Sequence, residues 1–271
     1  MKKYFQNPLI IPVIVLFASA SLGGLPPVAI KIALKELSST MIMFLRVSIM
    51  LPIFLLLSWP HLHLVRMHWK SIFPIAFGWA GNIVIFSFGI THTTAAVSQV
   101  IYTGVPVLVA ILSPLMLKEV PTMYQIVGIG IGLIGTLITV LGGGGSLSGG
   151  NAFGNLLVFL ATVSWALYVI ATRKYKTVVP ASVNLFVGAF IAWICFGLMQ
   201  IPSGFHVPVL SQDTIYALLF LGIVGGVFMF FTHQWGAQRT PAIISGSTGV
   251  HFGDFRYRWI MVDFGRKVRI T

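Results

Sequence analysis

An all-α, polytopic transmembrane helix bundle is the fold class this sequence predicts, and three observations predict it. Eight uninterrupted apolar stretches, each long enough to cross a bilayer, fill residues 9 to 235. Hydrophobic side chains make up 57% of the 271 residues and charged ones 8%, which leaves almost no room for a soluble domain. The charges are seventeen basic against five acidic, and within residues 9–235 the bases sit mostly between the stretches. A hydrocarbon slab of about 30 Å needs about 20 helical residues. Backbone amides in lipid must bond within their own segment, so each stretch is a helix.

The spans read, in order, as residues 9–34, 39–59, 72–90, 95–117, 123–141, 152–172, 181–201 and 215–235, and a ninth apolar run begins near Pro241 and fails after Val250. Lys2, Lys3 and the small residues Ala18, Ser19 and Ala20 imitate a signal peptide, but the apolar run continues through Ile30, so the first helix is uncleaved. With the amino terminus in the cytoplasm, the inner connections hold Lys2, Lys3, Arg66, Lys70, Lys118, Arg173, Lys174, Lys176 and Arg239, and the outer ones hold Lys31 and Lys35. Short loops with that asymmetry orient a chain N-in. The high pI reflects this bias rather than nucleic-acid binding, which needs a basic face or stripe. One cysteine, Cys195, excludes a disulfide framework or a thiolate metal site and reads as a small buried packing residue.

Residues 142–151 form a glycine-rich flexible linker, and no Gly-Lys-Ser/Thr closes it into a phosphate loop. It separates five spans from three and a half, and the two parts look like copies. Ser21 to Lys31 lies over Ser164 to Lys174, Gly89 to Ala95 lies over Gly236 to Ala242, and Ser98 falls opposite Ser245. Five spans per copy is odd, so the second copy, residues 152–250, runs opposite to the first, residues 1–141. Opposed repeats place a substrate site near the midplane where they meet.

Gly23 to Lys31, Phe44-Leu45-Arg46, Ser164-Trp165-Ala166-Leu167-Tyr168 and Pro114-Leu115 running to Lys118-Glu119 resemble the EamA-type family of the drug/metabolite transporter (DMT) superfamily. The likeness covers residues 9–250. It implies ten helices in two inverted five-helix repeats, of which about eight and a half are present, and a permease moving small metabolites, amino acids or related compounds, across the bacterial inner membrane. Leu22 stands where the family often has tryptophan, which Trp165 keeps in the second copy; Lys118 stands where the family's turn usually has glycine. Residues 251–271 form an aberrant basic tail instead of the rest of helix nine and helix ten. Synonymous codons for Phe264 to Thr271 read one base later as an apolar, family-like ending, so a frameshift near codon 250 is expected, with a non-functional truncated product as its alternative consequence.

The resemblance has helices one, three, four, six, eight and nine line the cavity. Polar tips inside those spans should point into the bundle, which nominates Trp79, Asn82, Gln99, Tyr102, Trp165 and Tyr168 as substrate-binding residues, although ordinary interhelical hydrogen bonding is the commoner role for each. Arg46 has two readings of equal weight, an anchor for an anionic substrate group or a side chain snorkelling to the nearby interface. Pro26-Pro27 and Pro106 interrupt helices one and four, and a discontinuous helix points to a site. Pro27 is therefore a candidate. Lys31 joins it through the family motif, with interfacial anchoring as the simpler role for Lys31 and Lys35.

His92 and His233 read as interfacial, and Glu119 as a local partner of Lys118 at the membrane surface. Gly128, Gly130 and Gly132 in helix five, and Gly222 to Gly226 in helix eight, have small-xxx-small spacing and read as packing seams that would also suit a homodimer. Glu36, Glu119 and Asp213 lie at span ends, which disfavours proton coupling through a buried acid and favours facilitated diffusion or exchange. No metal or cofactor is expected. Neither His-Glu-x-x-His nor Gly-x-Ser-x-Gly occurs, so an intramembrane enzyme is disfavoured.

Overall fold

A computed structural model describes residues 9–22, 25–142, 151–203 and 209–248, and among them every regular element is helical. Most of the linker and all of the basic tail lie outside the described residues. The chain forms α1 (Ile10–Leu22), α2 (Pro26–Ala33), α3 (Ser39–Ser58), α4 (His63–Met67), α5 (Trp69–Gly89), α6 (Ala95–Tyr102), α7 (Val105–Leu117), α8 (Met123–Gly142), α9 (Ala152–Lys174), α10 (Ala181–Gln200), α11 (Gln212–Gly222), α12 (Met229–Ala237) and α13 (Ala242–Thr248). Six stretches are long and apolar enough to span a membrane: Ser39–His61, Trp69–Gly89, Ala96–Leu117, Ala152–Lys174, Ala181–Gln200 and Gln212–Ala237. Ile10–Leu22 and Met123–Ile138 are shorter apolar helices.

The first expected span is thus two helices. Pro26 and Pro27 fall in the first turn of α2, where a missing amide hydrogen leaves no bond unmade. Pro106 does the same at the start of α7, so the fourth span breaks at Thr103–Gly104. The eighth is continuous but changes winding: a π-helical segment, Ile223–Phe228, joins α11 to α12.

Local chemistry sets the starts and stops. Ser38, Thr94, Asn151 and Ser211 each accept a hydrogen bond from the backbone amide three residues on, capping α3, α6, α9 and α11. All four capped helices begin at the same end of the bundle as the α2–α3 connection. Lys118 ends α7 in the left-handed region, with φ 59°. Glycine adopts that conformation freely, which is the physical reason a glycine suits this turn and a lysine is strained in it.

Packing is reciprocal between the two halves. α5 of the first half lies against α9 of the second, and α12 and α11 of the second lie against α1 and α2 of the first. A Cβ on Gly78 would come within 2.9 Å of the Tyr168 backbone, and one on Gly225 within 2.9 Å of Pro26 Cγ. The alignment that puts Ser21 over Ser164 and Gly89 over Gly236 also puts Gly78 over Gly225 and Leu25 over Tyr168. The two close crossings are therefore counterparts. Across the junction α3 packs on α10, and α7 on α13. Small residues let these backbones approach, as lipid-embedded helices require.

Two sequence expectations about packing change. Gly222 and Gly226 do form a seam, their would-be Cβ atoms meeting Ile49 at 2.5 Å and Met50 at 2.8 Å. Gly128, Gly130 and Gly132 do not: nothing lies within 4 Å of theirs, because α8 only skirts α6 and α7. Cys195 is half-buried rather than buried, since α10 turns that face outward beside exposed Ile194 and Leu198.

Candidate functional site

The largest buried side chains of the two halves converge where α3, α5, α9 and α12 meet. Arg46 projects inward from α3. It is 9% exposed, its Nη2 donates to the Gly225 carbonyl oxygen at 2.6 Å, and its Cζ lies 5.7 Å from the Phe230 ring centre. Of the two sequence readings, snorkelling to the interface is the one this geometry overturns: the guanidinium turns into the bundle because an acceptor waits there. The π-helical segment supplies it. The amide of Met229 donates to the Val224 and Gly226 carbonyl oxygens, and the Gly225 carbonyl between them accepts from Arg46. Nε of Arg46 has no partner. Among the described residues the ion pair is Arg173–Glu119, so no described carboxylate neutralises Arg46.

Aromatic rings wall this charge. Phe230 stands edge-on to Trp79, with centroids 5.0 Å apart, and 6.4 Å from Trp165. Trp165 in turn lies 4.8 Å from Tyr168 and 5.2 Å from His233. Neither indole N–H, of Trp79 or of Trp165, has a hydrogen-bond partner. His233, expected at the interface, is instead buried at 2% exposure. Its neighbour Gln234 is fully buried; its Oε1 accepts from the Tyr168 hydroxyl at 3.5 Å and its Nε2 is unpartnered. Both residues lie in α12, whose crossing with α1, close at Gly236 and Leu16, carries them into the core. Sequence reasoning missed Phe230, His233 and Gln234; two adjacent polar residues inside an apolar run were the available signal.

The other nominated residues divide. Asn82 donates to the Tyr102 hydroxyl oxygen and to the Ala161 carbonyl oxygen, each at 2.9 Å, stitching α5 to α6 and α9. Gln99 is half-buried on α6. Lys31 is exposed near the end of α2, away from the Arg46 cluster, and the Pro27 side chain lies outside the described set. Ser98 and Ser245 are both buried, at 2% and 0% exposure.

Glu119 is not paired with Lys118. Its Oε1 accepts from Arg173 Nε at 2.7 Å, and its Oε2 from the Ala242 amide at 3.2 Å, so it ties α7, α9 and the start of α13 together. Arg173 and the Ala242 amide take its two oxygens instead. At the opposite end Glu36 accepts from the Ser211 amide at 3.0 Å, joining the α2–α3 connection to α11. The Ser211 side chain and amide hold its carboxyl below the usual range. Among the described residues no three His, Cys, Asp or Glu side chains gather as metal ligands. Two surface grooves lie away from the Arg46 cluster. One of about 370 Å³ runs between α2 and α11, and one of about 260 Å³ lies between Phe17, Gln125 and Ile243.

Known proteins fit this architecture. The family described as EamA-like transporters matches twice, over residues 10–141 and 152–248. The chain is 27% identical over 187 residues to the uncharacterized transporter YetK of Bacillus subtilis, covering 65% of this chain and 56% of YetK. It is 28% identical over 237 residues to an uncharacterized transporter of Archaeoglobus fulgidus, covering 84% and 81% of the two chains. A solved crystal structure at 17% identity shares the fold, with a TM-score of 0.71 over 94% of this chain and 88% of that one. The names of the two curated relatives point to transport. An apolar helical bundle with its charge at the ends, matched by the family model in each half, belongs to the EamA-like transporter family of the DMT superfamily and is an integral membrane protein.

Proposed function

We propose that this protein is a permease that exports small metabolites, amino acids or related compounds, across the bacterial cytoplasmic (inner) membrane by alternating access. Its amino terminus is cytoplasmic, residues 1–141 act as one five-helix repeat, and residues 152–250 act as a second, incomplete repeat inserted the opposite way. The observation that carries this reading is the cluster where the halves meet. There the indoles of Trp79 and Trp165 and Nε of Arg46 are buried with nothing to bond. Buried polar groups without partners are costly, so a fold that gathers them at one junction suits a ligand that satisfies them. The reciprocal Gly78–Tyr168 and Gly225–Pro26 crossings support rocking of one half on the other.

The same junction has no described carboxylate, with Glu36, Glu119 and Asp213 at helix ends or in connections, which supports facilitated diffusion or exchange over coupling through a buried acid. Counterflow of labelled amino acids in proteoliposomes tests the reading. Saturable uptake of at least one above empty vesicles is expected, with no accumulation driven by a pH gradient alone. Flux equal to that of empty vesicles for the whole set would discard the permease assignment.

A further inference from the structure

We infer that Arg46 is the anchor for an anionic group, and that the transported compound is a small organic carboxylate with an apolar or aromatic body. The inference rests on the permease reading and narrows its substrate class.

Three observations converge on it. First, a guanidinium offers five donors in a planar fork. Only one bond from Arg46 is recorded, from Nη2 to the Gly225 carbonyl oxygen, while Nε is unpartnered. A carbonyl is a weak match for a fork whose geometry suits the two oxygens of a carboxylate. Second, the charge is uncompensated. No described carboxylate reaches it, and its remaining neighbour is the Phe230 ring. A buried cation inside a span ordinarily pairs or lines a substrate path. Third, the surroundings fit the rest of such a molecule. Phe230, Trp79 and Trp165 supply apolar faces, and the two indole N–H groups can donate to a polar substituent.

The Gly225 carbonyl then holds the place of the ligand. It lies in the π-helical segment Ile223–Phe228, where the Met229 amide bonds Val224 and Gly226 instead, and Gly225 and Gly226 sit tight against Pro26 and Met50. When a carboxylate takes the fork of Arg46, the Gly225 bond is released, and α12 is free to move relative to α3. Substrate recognition is thereby joined to the helix whose displacement opens the junction between the halves.

The test uses the full chain in lipid nanodiscs and four matched probes, with binding followed by tryptophan fluorescence. The probes are 3-phenylpropionate, 3-phenylpropanamide, phenethylamine and phenylalanine. Both carboxylates are expected to bind at least tenfold more tightly than the amide and the amine. Arg46→Gln is expected to erase that preference, and Arg46→Lys to restore part of it. Equal or tighter binding of the amide or amine to the wild type overturns the inference while leaving the permease reading intact. A preference that survives in Arg46→Gln overturns the role of Arg46. Should Arg46→Gln fail to fold, the wild-type preference and the Arg46→Lys affinities decide the matter. If none of the four probes binds, the inferred class is wrong; counterflow with the wider amino-acid set then judges the permease reading separately.

Discussion

Lys118 shows how much one backbone angle can explain. Its φ of 59° costs an L-residue about 1–2 kcal/mol, which glycine avoids. Lys118→Gly should therefore raise the thermal midpoint in detergent, and Lys118→Val should lower it; differential scanning fluorimetry reads both. Glu119, its neighbour, is only partly buried with Arg173, at 28% and 18% side-chain exposure, so the pair itself stabilises by about 1 kcal/mol or less. A double-mutant cycle of Glu119→Gln and Arg173→Gln should find coupling of that size. Glu36 has a depressed carboxyl pKa, so its contribution is present above the ordinary carboxylate value of 4.5 and fades as pH falls through the lower folded value. The mobility of a spin label placed at Leu210, read by electron paramagnetic resonance, should rise with acid in the wild type and lose that dependence in Glu36→Gln. Asn82, buried between α5, α6 and α9, makes two interhelical bonds; bonds of this kind average about 0.6 kcal/mol in membranes, so Asn82→Ala should destabilise by roughly 1 kcal/mol.

Helices with similar glycine spacing behave differently here, and the difference is testable. A side chain at Gly222 must displace Ile49, whereas one at Gly130 meets nothing within 4 Å. Gly222→Leu should abolish a monodisperse product on size-exclusion chromatography, and Gly130→Leu should leave it unchanged. Periodicity could not separate them, since small-xxx-small spacing says that a backbone can approach closely but not which partner does. The broken first and fourth helices were legible, because proline declares its own position. The π-helical turn was not. Its Gly225 carbonyl meets Arg46, 179 positions away in the chain, a contact that no local pattern records. The burial of His233 escaped for the same reason, being set by the crossing of α12 with α1.

Across the whole molecule, the reciprocal contacts of α5 with α9 and of α11–α12 with α1–α2 fit the two-copy plan. Opposite insertion makes a sharp prediction: single cysteines replacing Lys35 and Lys174 should be labelled from opposite sides of the membrane, with Lys174 cytoplasmic. Labelling from one side would dismantle the arrangement. Composition, span length and loop charge determined by themselves that this chain is a helical membrane protein, because hydrocarbon tolerates few other structures; its family was legible only as a resemblance of motifs such as Gly23 to Lys31 and Ser164 to Tyr168. Polarity against that apolar background named Arg46, Trp79, Trp165 and Tyr168. Tertiary structure alone decided that Arg46 faces Gly225 rather than the interface, that Glu119 serves Arg173 and Ala242, and that His233 lies in the core. Each of those outcomes depends on a contact between distant segments, and the distance at which two helices cross is set by the pair, not by either strand of sequence on its own.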